Sequence, residues 1–241
     1  MSKIKLLPGV PEQYVRDRLG KSKGNEIESG KFSNPDSSAA LAANCFGCPR
    51  FPNLTLGFPA TSVDIEYEAR FPWSGGTHPW LDAAAITTTH LIGIESKRFE
   101  PFRDLKQIDF SDAYDRDHWG PSMKAYECMR DALKCIEVKF RFLDAAQLVK
   151  HALGLVTQGR RRGLRTVLTY IYAEPAELNG RPIPDAAIQG HRAEICDFAM
   201  AVAGSEVVFT PLRYRDWIQA WSVEDTAVVE HGRAILETFA P

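Results

Sequence analysis

The sequence has no long apolar run. No stretch approaches the ~18 consecutive apolar residues of a membrane span, which argues against a spanning helix. Its opening, Met1-Ser-Lys-Ile-Lys-Leu-Leu-Pro8, is too short and broken for a secretory leader. There are five cysteines, an odd number without a secretory context, which argues against a disulfide framework. Only Cys45-Phe-Gly-Cys48 has the C-x-x-C spacing. Cys128, Cys135 and Cys196 supply no second pair, so Cys45 and Cys48 are expected as small buried residues rather than a zinc or iron–sulfur site. The net charge is −2, so a nucleic-acid partner would have to meet a local basic face rather than the whole surface. No internal repeat, low-complexity linker, zinc finger or clear helix-turn-helix is present. What remains is an ordinary globular composition, 44% hydrophobic and 25% charged, of a length that suits one domain over residues 1–241. The default location for such a chain is the cytoplasm.

The stretch that carries chemistry is Pro79 to Lys97. Two short β-prone runs flank a polar Thr-Thr-His tip, a hairpin pattern. With the tip at Thr87 to His90, facing positions sum to roughly 177, which sets Asp82 opposite Glu95 or Ser96. Glu95 and Lys97 are two apart, so a strand turns both to one face. The apolar run Leu91-Ile-Gly-Ile94 reads as a buried central strand, which puts these charges at the rim of a site. Two carboxylates held together call for a cation between them. Carboxylate oxygens plus water suit Mg²⁺ or Mn²⁺. A lysine beside such an ion can position or help deprotonate a water and can stabilise charge on a phosphate. These are the parts of metal-assisted phosphodiester hydrolysis.

Asp82, then twelve residues, then Glu95-Ser96-Lys97 resembles the core of the PD-(D/E)XK nucleases, the restriction-endonuclease-like superfamily. Asn34 to Asn44 upstream and Gln147 to Gly154 downstream resemble one bacterial group of these proteins. The proline of the family name stands at Pro79, three residues ahead of the acid, and Leu81 adjoins Asp82 instead. The resemblance implies an α/β fold with a restriction-endonuclease-like core, a mixed central sheet flanked by helices. It implies a Mg²⁺-dependent (or Mn²⁺-dependent) endonuclease acting on DNA, in restriction or defence. Asp82 and Glu95 would bind metal with the Ser96 main chain, and Lys97 would position the water. Gln147 and Lys150 would support the site from a following helix. A repair nuclease, an RNA nuclease, a DNA-binding module that has lost catalysis and a structural salt-bridge cluster stay open. A homodimer is expected if both strands of a duplex are cut.

The rest of the chain supplies helpers. A helix is expected over Pro11 to Leu19, and another from Asn34 or Asp36 to Asn44, started by an N-cap and a first-turn proline. Thr61 to Phe71 alternates, with Val63, Ile65, Tyr67, Ala69 and Phe71 on one side. On the other side Glu66 or Glu68 is a candidate extra acid. Trp73, His78 and Trp80 could stack on bases or cover the sheet end, and His78 could approach the metal. Arg98 and Arg103, and the run Arg160, Arg161, Arg162 and Arg165, are candidate phosphate contacts. Residues 104–121 look like an inserted region or lid. Leu143 to Val156 is an amphipathic helix. Leu164 to Ala173 and Glu206 to Arg213 read as strands, the latter running on toward Trp217. Ser122 to Ile136, Ala186 to Ala203 and Glu224 to Phe239 read as helices.

Overall fold

A computed structural model describes residues 5–21, 26–48, 60–74, 77–221 and 225–241. The proline-rich 49–59 stretch lies outside them. The chain opens with helices α1 (Glu12–Leu19) and α2 (Ser38–Phe46), then lays down strands β1 (Ser62–Glu68), β2 (Trp80–Ile86) and β3 (His90–Lys97). Helices α3 (Glu100–Arg103), α4 (Lys124–Lys134) and α5 (Ala145–Arg162) lead to β4 (Arg165–Tyr172). A small hairpin, β5 (Glu177–Leu178) with β6 (Arg181–Pro182), is followed by α6 (Asp185–Ala201) and β7 (Val207–Arg213). Helices α7 (Tyr214–Gln219) and α8 (Thr226–Phe239) finish the chain.

The result is α/β, with a five-stranded mixed sheet in the order β1-β2-β3-β4-β7. The first three strands are antiparallel, and β3, β4 and β7 run parallel. Parallel neighbours need a crossover, and helices supply both of them. One sheet face is covered by the terminal helices, with Leu41, Phe46, Trp217 and Ile235 packed on Ile92 and Ile94. The other is covered by α4, α5 and α6, with Tyr126, Leu155 and Phe198 packed on Leu91 and Leu168. A strand buried from both sides needs apolar residues at every position, and Leu91 to Ile94 supplies them.

Local signals explain the helix starts. The Ser37 hydroxyl accepts from the Ala40 N–H and caps α2, so the helix starts later than Asn34 or Asp36 and Pro35 lies ahead of it rather than in its first turn. Asp144 caps α5 by accepting from the Gln147 N–H, and Asp225 caps α8. Helix α5 runs on to Arg162. The arginine run is therefore its last turn, where cations complement the helix dipole.

Three expectations are corrected. The alternation along β1 does not keep one face: Glu66 takes a positive φ of 51°. Ile65 consequently joins one core and Tyr67 the other. Tyr214 to Trp217 is helical, not an extension of β7. Residues 104–121 form no loose lid, because Trp119 and Tyr114 are buried in the α5-side core, where Phe71 packs edge-on to both. Among the described residues, no helix is long and apolar enough to cross a membrane.

Candidate active site

The β2–β3 ladder pairs Ala83 with Ile94, the register anticipated from the hairpin tip. The next facing positions are Asp82 and Glu95. There the ladder ends, and the Asp82 carboxylate takes over: its Oδ2 accepts from the Ser96 N–H at 2.7 Å. Glu95 and Lys97 share a face, with Lys97 Nζ 2.5 Å from Glu95 Oε1. Ser96 points to the opposite face, where its hydroxyl shares a hydrogen bond with the Tyr214 hydroxyl at 2.7 Å. Its side chain is thus committed to the core.

The electrostatics are those of buried acids short of positive charge. Burial pushes the Asp82 carboxyl up to about 8, and Glu95 adds to the rise, against the pull of Lys97 and the Ser96 N–H. Burial likewise raises Glu95, to about 7, with Lys97 opposing. For Lys97 burial alone would favour the neutral amine, but Glu95, Asp82 and Glu100 outweigh it and raise the ammonium above its usual value. Lys97 therefore stays a cation and a hydrogen-bond donor.

Two residues that sequence reasoning missed complete the surroundings. Glu100, at the start of α3, accepts from the Arg98 N–H at 2.8 Å and from the Ser38 hydroxyl. Burial pulls its pKa up, yet Lys97 and these donors win and hold it below the ordinary range. The available signal was an acid directly before Pro101 at a helix start. His151, on α5, places Nδ1 3.2 Å from Glu95 Oε2, without an aligned hydrogen bond. Burial first, then Lys97, lowers His151 to about 3, so its ring is neutral. It lies one helical step (i, i+4) beyond Gln147, a spacing that shares a face.

No family model, curated protein or solved structure matches the chain.

Asp82 opens onto a cavity of about 700 Å³. Glu66, Trp80, Glu100, Arg103 and Gln147 also line it. Of the candidate helpers, the structure thus brings Gln147, Arg103, Trp80 and Glu66 to the cavity wall. Glu68 pairs with Arg70 at 2.7 Å, and it is Glu66 that faces the cavity. Lys150 places its ammonium 5.4 Å from the Phe110 ring centre and 5.9 Å from that of Tyr114. Arg98 is buried and cross-links the fold, donating to the Pro35 and Phe239 carbonyls, so it is not free for phosphate. Arg160 pairs with Glu206, Arg161 donates to the Phe71 and Pro72 carbonyls, and Arg162 lies over the Tyr67 ring. These three stand at the far end of α5, roughly 20 Å along the helix from Gln147 at 1.5 Å per residue. Arg165 faces His90 at the opposite end of β3 from Lys97. His78 is tied up as acceptor for the Phe71 N–H, and Trp73 packs against Phe71, Trp119 and His118. Cys45 and Cys48 are buried and unpaired, as small core residues should be.

The donor set decides what ion fits. Among the described residues no group of three or more His, Cys, Asp or Glu side chains is arranged to hold a metal. Two acids, Asp82 on the cavity wall and Glu95 buried next to it in the hairpin, suit a hard ion that keeps several waters, the habit of Mg²⁺, rather than a caged zinc. Burial raises both acids, and the Glu95 charge adds to the rise at Asp82, so a cation held between them would favour their ionised forms.

Proposed function

We propose that the protein is a metal-dependent nuclease with a restriction-endonuclease-like core, hydrolysing phosphodiester bonds in DNA. The observation that carries this is the convergence of Asp82, Glu95 and Lys97 where β2 and β3 part, with Asp82 on the wall of an open polar cavity. The mixed sheet with helices on both faces agrees with it.

Asp82 and Glu95 would hold Mg²⁺ or Mn²⁺, which when bound polarises a phosphate and lowers the pKa of a bound water. Glu95 is held from one side by Lys97, and His151 fills the space against its other oxygen. Asp82 is aimed by the Ser96 N–H, so the short link between the two motif halves is itself part of the site. Lys97, kept protonated, supplies fixed positive charge and a donor where the phosphorane oxygens gain charge, and it orients rather than deprotonates the water. Glu100 stays ionised, its charge adds to those of Glu95 and Asp82 in favouring the Lys97 ammonium, and Ser38 on α2 anchors it.

The test is cleavage of plasmid and of single-stranded DNA with Mg²⁺, Mn²⁺ or EDTA, comparing wild type with Lys97→Ala. Metal-dependent cutting that falls by a factor of at least about 100 in the variant is the expected outcome. If wild type binds DNA without metal and never cuts, the protein is a binding module of this fold.

A further inference from the structure

Beside the candidate site lies a second cavity, of about 690 Å³, that shares Arg103 and Asp104 with the first. Its walls come from the end of α3, the 141–142 loop before α5, the β5–β6 hairpin and the start of α6. The walls are built, not incidental. The Glu194 carboxylate of α6 accepts from three successive backbone N–H groups, those of Arg141, Phe142 and Leu143, at 2.7 to 2.8 Å. That clamp fixes the loop and presents Arg141 and Phe142 to the groove, with the guanidinium 5.2 Å from the ring centre. Opposite, Asn179 and Gly180 both take positive φ (53° and 72°), the tight two-residue turn that fits a hairpin's twist. This turn holds Arg181 at the groove.

The groove's charge has one sign to spare. Arg103, Arg141 and Arg181 face one acid, Asp104, which Arg103 already pairs at 2.6 Å. Among the described residues neither Arg141 nor Arg181 forms an ion pair with a carboxylate. Unpaired cations next to flat faces suit a polyanion that carries rings. The faces are those of Phe102 and Phe142, with ring centres 6.3 Å apart, and the Arg141 guanidinium. A duplex buries its base faces in its own stack, whereas an unpaired strand can lay a base on an aromatic or guanidinium plane.

We infer that this groove carries an unpaired nucleic-acid strand leading away from the phosphate held at Asp82 and Glu95, with Arg141 and Arg181 on its phosphates and Phe142 under a base. The inference rests on the nuclease reading for its direction, but not for its contacts.

The probe is a fluorescent single-stranded oligonucleotide and its duplex, bound in EDTA so that nothing is cut, across a salt series. Wild type should prefer the single strand. Arg141→Ala with Arg181→Ala should weaken single-strand binding at least tenfold and flatten the slope of log affinity against log salt by about 1.4, at ~0.7 for each phosphate left without its arginine. Phe142→Ala should cost about fivefold or more on the single strand and little on the duplex. Should that variant unfold, Arg181→Glu alone, on an exposed hairpin residue, still reads the groove. Equal or tighter duplex binding, or variants that bind as wild type does, would overturn the proposal. The two readings separate cleanly. Cutting that needs metal and Lys97 while the groove variants bind normally removes the groove and leaves the nuclease. Arginine-dependent strand binding without any cutting does the reverse. Running the DNA and RNA strands in parallel identifies the sugar.

Discussion

At the scale of residues, the test of a metal-holding role is what happens without metal. A structural ion pair stabilises the fold, so losing it should cost stability. Two buried acids waiting for an ion repel each other, so neutralising one should not. Asp82→Asn keeps an oxygen to accept the Ser96 N–H, which Asp82→Ala would strand. In EDTA, Asp82→Asn is therefore expected to unfold at the same free energy as wild type or up to about 2 kcal/mol higher, from removing a buried carboxyl and, second, its repulsion from Glu95. Mg²⁺ should raise the melting temperature of wild type and leave that of the variant unchanged. A clear loss of stability in EDTA, measured by thermal or urea unfolding, would make Asp82 part of a structural cluster instead. The core residues Asp82, Glu95 and Lys97 were legible because a hairpin register is arithmetic on residue numbers. Glu100 and His151 were not, because each reaches the site by tertiary packing: one from a four-residue helix, one across a sheet face.

At the scale of elements, α5 decides the geometry around Glu95, since it carries Gln147 and His151 and is capped by Asp144. Its seating depends on Gly154. A Cβ there would stand 2.6 Å from the Ala69 carbonyl oxygen and 2.8 Å from Pro79 Cγ, and the oxygen belongs to backbone that cannot rotate aside. Gly154→Ala improves intrinsic helix propensity by about 1 kcal/mol. Crowding should outweigh this, giving a net loss of about 1–3 kcal/mol in urea denaturation. A net gain would mean that α5 has room to move off Ala69 and Pro79. Periodicity found this helix but ended it six residues early, at Val156, because Thr157 to Arg162 is too polar to show an apolar stripe. The same polarity made the arginines look available. They are instead the helix's last turn, spent on Glu206, on carbonyls of the 71–72 segment and on the Tyr67 ring. The β5–β6 hairpin shows the opposite case: Asn179-Gly180 is a strong turn signal, but its strands of two residues each are too short to alternate.

At the scale of the whole molecule, the cavity at Asp82 is assembled from segments spread from Glu26 to Gln147, so no window of sequence could contain it. What the folded molecule sets at this scale is the balance of titrating groups, and His191 is the clearest. It is buried where α6, α3 and the sheet meet, with Phe102, Tyr170 and Tyr172 around its ring. Its Nε2 shares a hydrogen bond with the Tyr170 hydroxyl at 2.9 Å. Burial lowers its pKa to about 4; Glu174 opposes that and Lys106 adds to it. The unfolded chain takes up this proton near pH ~6.5. Between about pH 6.5 and 4 the unfolded state therefore binds the extra proton, and stability must fall as pH falls through that window. The full drop from this one group is about 3 kcal/mol, and above about pH 6.5 it contributes no slope. His191→Gln keeps a partner for Tyr170 and has no proton to gain. The variant should start less stable than wild type at neutral pH and lose less on acidification, so the two urea-derived stability curves converge between about pH 6.5 and 4. A gap that stays constant across that range would show that His191 takes its proton in the folded state as readily as in the unfolded chain, and that acid unfolding starts elsewhere in the fold.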